Sequence, residues 1–264
     1  MQEALLAALL GIVQGLTEFL PVSSSGHLRL AGATFGLEEP DTLFDIAVHA
    51  GTLGAVCAVY RTDLGKMVGS MMNPTWRNPS FRLVVLVCIG TLPVGVVGVL
   101  AGDWLETNAT DVLIVGALLV LNGVILMVSR GRGENGRTLE ELTVLDALIV
   151  GAMQSIALFR GISRSGTTIT TALLRGVDRS AAATFGFLLA IPAIAGATVL
   201  QLAKAVESGV VSWIPLVVGT VTAGVVGYLA LLGLIKVVNR GQLHHFAWYC
   251  WALGLTAIAV SVIG

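Results

Sequence analysis

The stretch "QGLTEFLPVSSSGH", residues 14–27, places an amide, a carboxylate, three serine hydroxyls and an imidazole close together. Gln14 and Glu18 are four residues apart, one turn apart on the same face of a helix. A carboxylate beside an amide is an oxygen donor set for Mg2+ or Ca2+: hard cations take oxygen ligands, and Mg2+ often completes its shell with phosphate oxygens. Ser24 offers a hydroxyl nucleophile, and His27, three residues on, is close enough to act as its base or acid. Each residue also has a plainer reading. Glu18 paired with Arg29 or Arg164 closes a helix bundle, the serines serve as small residues that let helices approach, and His27 is structural.

A second stretch, "LFRGISRSGTT" at 158–168, sets two arginines among glycines and hydroxyls. The guanidinium of Arg164 matches a phosphate bidentately and stays charged when partly dehydrated. Ser163 and Ser165 flank it, and Gly161 and Gly166 let backbone N–H groups turn inward. Thr167 and Thr168 stand where a following helix would open, and a helix N-terminus attracts anions. These residues read as a phosphate-binding set. Arg160 reads as an interfacial or cytoplasm-facing charge, and Asp45 and His49 as a helix cap and a packed neutral imidazole.

The surroundings of these two stretches are lipid-like. Of 264 residues 55% are apolar and 12% charged, and the mean hydropathy is +0.88, whereas roughly a quarter of residues are charged in soluble domains. Uncharged runs at 83–102, 112–129, 180–203, 208–235 and 246–264 approach or exceed the ~20 residues that cross a bilayer as helix. A sixth span is expected at 43–60, despite Asp45 and His49 near its start. The runs do not alternate in polarity, which excludes a transmembrane barrel. Residues 1–10 hold Glu3 and no basic residue, so no cleavable signal peptide is expected. Cys57, Cys88 and Cys250 show neither disulfide nor metal spacing. A net charge of −1 argues against nucleic acid as a partner.

Two segments, about 1–40 and 142–176, are apolar but broken by charges, and their uncharged runs suit re-entrant helices better than full crossings. Shifted by 140 they match: "GIVQGLTEFLPVSSSG" lies over "GAMQSIALFRGISRSG", with identities at Gly11/Gly151, Gln14/Gln154, Phe19/Phe159, Ser23/Ser163, Ser25/Ser165 and Gly26/Gly166. Three crossings separate the copies, so the second enters from the opposite face. The expected fold is therefore an all-α integral membrane protein with an inverted-topology repeat, six full crossings and two re-entrant helical hairpins. It forms a single domain over 1–264, with halves of about 1–130 and 140–264. In such repeats broken helices bring irregular tips together near the midplane. Ser24 and Arg164 occupy equivalent positions, so the two tips make one site.

Basic residues cluster in four loops: Arg61, Lys66, Arg77 and Arg82; Arg130, Arg132 and Arg137; Arg175 and Arg179; Lys236 and Arg240. The positive-inside rule makes those loops cytoplasmic and puts both termini outside.

"QGLTEFLPVSSSGH" followed by "RGISRSGTT" resembles the undecaprenyl-diphosphate phosphatase family of bacterial membranes, the bacitracin-resistance proteins, whose signatures are (E/Q)-x-x-x-E and P-G-x-S-R-S-x-x-T. The first maps onto Gln14 and Glu18, the second onto Gly161, Ser163, Arg164, Ser165 and Thr168. "DRSAAATFGFLLAIPAIAGA" and "GTLPVGVVGVL" are also similar to that family. Arg160 stands where the family has proline, which would loosen the second tip, and Gln14 takes the weaker option of the first signature, which would lower metal affinity. The resemblance implies hydrolysis of a polyprenyl diphosphate to the monophosphate carrier used in peptidoglycan synthesis, with Mg2+ or Ca2+, at a plasma-membrane site open to the outer face. Bacitracin resistance and a homodimer belong to the same expectation. In the expected mechanism Glu18 and Gln14 hold the cation, Arg164 neutralises the phosphoryl group, and Ser24 attacks with His27 relaying the proton; water activated by His27 is the near alternative. A transporter or lipid-carrier flippase is the competing reading, because inverted repeats with midplane sites are the usual alternating-access plan.

Overall fold

The computed structural model describes residues 2–35, 42–108, 111–205 and 213–263. Among these every regular element is helical: α1 (Gln2–Phe19), α2 (Ser24–Phe35), α3 (Thr42–Val59), α4 (Arg61–Ser70), α5 (Pro79–Asn108), α6 (Val112–Val128), α7 (Val144–Ile156), α8 (Arg164–Leu174), α9 (Arg179–Ala205), α10 (Trp213–Asn239) and α11 (Phe246–Ile263). Lipid offers no partner for backbone N–H and C=O groups, so a chain of this hydropathy satisfies them within helices.

Four stretches are long and apolar enough to cross a bilayer: 79–102, 179–202, 213–239 and 243–263. A fifth arises if α3 and α4 count as one span, although they meet at 78°. α6 fills the expected run at 112–129 with 17 residues, short for a crossing. The chain is a multi-pass helical membrane protein. The basic stretch after residue 60 is helical in part, since Arg61 and Lys66 lie on α4.

Glycine sets how closely the helices meet. A Cβ at Gly15 of α1 would strike the backbone of Ala223 and Gly227 on α10, and one at Gly151 of α7 would strike Gly90 of α5. Gly116 of α6 and Gly254 of α11 likewise meet backbone to backbone. Small residues at such crossings gain van der Waals contact that larger side chains would prevent.

On the side carrying the α6–α7 loop, Asp146 ties three segments. Its carboxylate takes two bonds from Arg137 (2.6 and 3.0 Å), one from Arg175 Nε (2.9 Å) and one from the Thr143 hydroxyl (2.7 Å). Thr143 and Asp146 also form the capping box of α7. The side chain of Asp146 is fully buried and the two arginines are about one-third exposed.

Candidate functional site

The two tips lie between α1 and α2, residues 20–23, and between α7 and α8, residues 157–163. Each ends in a serine that caps the helix after it. Ser23 Oγ accepts from Gly26 N (3.3 Å) and Ser163 Oγ from Gly166 N (3.2 Å). The same hydroxyls approach Ser25 Oγ (3.5 Å) and Ser165 Oγ (3.1 Å). The positions that match at a shift of 140 thus have matching local structure.

The tips are also bonded to each other. Ser23 Oγ accepts the N–H of Gly161 (3.0 Å), and Ser165 Oγ donates to the Phe19 carbonyl (2.7 Å). Gly161 has φ +113°, and a Cβ there would strike the Val115 carbonyl and Leu118 of α6, so glycine is required. Ser23 has φ +70° without glycine's freedom. This uncommon conformation sits immediately before Ser24 and is held by its two hydrogen bonds.

Glu18, at the end of α1, is the hub. Its Oε2 accepts from Ser24 Oγ (2.7 Å) and Gln14 Nε2 (3.1 Å), and its Oε1 lies 3.4 Å from Arg164 Nη2. Only 6% of the Glu18 side chain is exposed, against 27% for Arg164. His49 of α3 comes within 3.7 Å of Glu18 Oε2 and within 3.5 Å of Asp45 Oδ1, while its Nδ1 donates to the Asp45 carbonyl (2.8 Å). The imidazole expected to be mere packing lies between two carboxylates. Asp45 and His49 are four apart, a spacing that was the available signal.

Four expected site residues therefore meet directly: Gln14, Glu18, Ser24 and Arg164. His27 is turned elsewhere. Its Nδ1 donates to the Ser23 carbonyl (2.8 Å), leaving Nε2 to accept from the Tyr249 hydroxyl of α11 (2.7 Å), and its ring lies parallel to that of Tyr249. Ser163, Ser165 and Gly166 build the second tip through the bonds above. Thr168 Oγ1 donates back to the Arg164 carbonyl (2.9 Å). Arg164 Nη1, Thr167 Oγ1 and Gln14 Oε1 are buried without a hydrogen-bond partner. Buried polar atoms are seldom left unpaired, and two of these belong to the cluster: one donor arm of the Arg164 guanidinium and the Gln14 amide oxygen. Among the described residues no group of three or more His, Cys, Asp or Glu side chains could hold a metal ion unaided.

A helical membrane protein with a buried carboxylate, a serine hydroxyl and a half-paired arginine gathered between two broken helices has the attributes of a membrane-embedded enzyme acting on an anionic headgroup. The family model of bacitracin resistance protein BacA matches residues 7–256, and the chain belongs to that family. Similar proteins include undecaprenyl-diphosphatases of Desulforapulum autotrophicum (39% identity, covering 96% of this chain and 97% of that protein) and Carboxydothermus hydrogenoformans (39%, covering 98% and 97%). A third, from Halothermothrix orenii, is 37% identical and covers 96% of both chains.

Proposed function

We infer that this protein is an undecaprenyl-diphosphatase that hydrolyses its lipid to the monophosphate carrier and inorganic phosphate. Family membership supports the activity. The observation that carries the assignment to this site is the guanidinium of Arg164: one arm faces Glu18 and the other is buried with no partner, ready for a phosphate oxygen.

Ser24 is the nucleophile in this reading. Its hydroxyl already donates to Glu18, so the carboxylate takes the proton as Oγ attacks the terminal phosphorus. The bond from that phosphorus to the bridging oxygen breaks, and the lipid monophosphate departs. Water then cleaves the phosphoserine, releasing phosphate and restoring the hydroxyl. Arg164 neutralises charge on the transferring group throughout. His27, engaged by Ser23 and Tyr249, holds the first turn of α2 in place.

Mg2+ or Ca2+ fits the donors present. The Gln14 amide turns its nitrogen to Glu18 and leaves Oε1 unpartnered; with that amide turned over, its oxygen and the Glu18 carboxylate would hold a hard cation, with phosphate oxygens completing its shell. When bound it would supply Lewis-acid neutralisation of the diphosphate.

The two halves, about 1–130 and 140–264, form an inverted repeat in this reading. Supporting it, α1 packs on α10 as α7 packs on α5, with glycines at the contacts in both pairs. The same reading has six crossings, two re-entrant segments, both termini outside and a cluster open to the outer face; the four apolar stretches long enough to cross, with the α3–α4 pair as a fifth, support part of that count.

Release of inorganic phosphate by the purified protein from undecaprenyl diphosphate tests the function, and a flippase or transporter would release none.

A further inference from the structure

A single side chain outside both tips touches both of them. Asn122 lies in the middle of α6 and is wholly buried. Its Nδ2 donates to the Pro21 carbonyl of the first tip (2.9 Å) and to Cys250 Sγ of α11 (3.3 Å), and its Oδ1 accepts the N–H of Ser163 in the second tip (3.0 Å). Every hydrogen-bonding group of the amide is used except one lone pair. Pro21 precedes Ser24 by three residues and Ser163 immediately precedes Arg164, so this one amide spans the bases of the two groups that must close on a phosphoryl group.

We propose that Asn122 is a positioning residue that sets the separation of Ser24 and Arg164 by bonding both tips at once. It acts through backbone atoms and touches neither reacting group. The other links are single bonds, Ser23 of the first tip with Gly161 of the second, and Ser165 of α8 with Phe19 of α1; Asn122 refers both tips to α6. A buried amide with donor and acceptor both matched is costly to replace, since each orphaned partner loses a bond that lipid cannot return.

The inference rests on the hydrolase reading, and its test is built to separate the two. Asn122→Ala removes both bonds. Asn122→Asp keeps an acceptor for Ser163 but, while ionised, has no donor for Pro21; protonation of the introduced carboxyl restores one. Lowering the pH shifts the introduced carboxyl towards that protonated, donating form. Phosphate release from undecaprenyl diphosphate is measured against pH for parent and both variants, with each variant divided by the parent at every pH. Asn122→Ala is expected to lose on the order of 10²-fold in kcat with little change in KM, uniformly in pH, as expected for a misplaced reacting pair. Asn122→Asp is expected to regain most of its loss as pH falls. Hydrogen exchange at residues 20–24 and 160–166 reads the same link without activity, and Asn122→Ala should speed exchange in both tips together. Parent turnover with unchanged exchange and unchanged kcat in Asn122→Ala would overturn the inference, as would an Asn122→Asp ratio flat with pH. No phosphate release by the parent overturns the hydrolase reading alone, and the exchange result then decides the link between the tips. If Asn122→Ala fails to fold, the pH ratio of Asn122→Asp decides.

Discussion

The Ser24 hydroxyl donates to Glu18 Oε2 across 2.7 Å, and the same oxygen receives Gln14 Nε2 from the preceding turn. The carboxylate is thereby fixed from both sides of the break between α1 and α2. A hydroxyl held against a nearly buried carboxylate has its proton acceptor in place before substrate arrives. Ser24→Ala and Glu18→Gln should each lower turnover by on the order of 10²- to 10⁴-fold. The double variant should fall no further than the worse single one, since groups that act as a unit are not additive. Turnover of Ser24→Ala within tenfold of the parent would replace the serine with a water held on Glu18.

Arg164→Lys should lose most activity although it keeps the charge. Lysine presents a point charge without a planar fork, so it attracts the diphosphate but cannot serve Glu18 and a phosphate oxygen in fixed geometry. Removing a transition-state arginine in phosphoryl transfer costs on the order of 10³-fold or more. Steady-state phosphate release should show the loss in kcat more than in KM. A variant that turns over like the parent would move the anion site elsewhere.

Much of this was legible in the sequence, because lipid enforces long uncharged helices and punishes their interruption. The expected runs at 83–102, 180–203, 208–235 and 246–264 lie within α5, α9, α10 and α11 apart from residues at the ends and the undescribed residues 208–212 and 264. The Gln14–Glu18 pair follows from helical spacing alone. Other relationships depend on which helices meet. Asn122 reads as a stray polar residue in "LLVLNGVILMV", and His27 finds Tyr249 more than two hundred positions away. Neither contact leaves a trace in local spacing. Asp146 appears as an ordinary capping residue, with nothing nearby to announce Arg175. The expectations for residues 36–41, 109–110 and 206–212, with the terminal residues 1 and 264, lie outside the described residues.

Asp146→Ala tests stability apart from chemistry. Arg137 and Arg175 would lose their common carboxylate, and the capping box of α7 would be lost. Breaking a buried ion pair is strongly destabilising, but the arginines here can reach water, so a cost of about 2–3 kcal/mol is expected. A lower melting temperature in detergent should accompany specific activity near the parent's in the fraction that remains folded. An unchanged melting temperature would reduce this cluster to a surface contact.

Orientation is open to labelling. In a background lacking Cys57, Cys88 and Cys250, a cysteine replacing Asp103 should react with an impermeant reagent from outside, and one replacing Arg132 only after the membrane is opened. Outside labelling at 132 would contradict the inverted-repeat reading.

The cation is decided by Gln14 and Glu18 together. Gln14 is wholly buried; its amide nitrogen is spent on Glu18 and its oxygen has no partner. If that oxygen and the carboxylate hold a divalent cation, the parent should gain thermal stability with added Mg2+ or Ca2+ and lose activity on chelation. Glu18→Gln removes the only charged donor of the pair and should abolish the stabilisation. Gln14→Glu sets two carboxylates one turn apart in a buried place, where like charges repel unless a cation lies between them. That variant should therefore be less stable than the parent after chelation and stabilised more steeply by the cation, a crossing pattern that a purely structural Gln14 would not produce. Melting temperatures of the three proteins across a titration of each cation measure it without reference to turnover. Parallel curves for parent and Gln14→Glu would remove Gln14 from the metal site and leave its amide as a brace for Glu18.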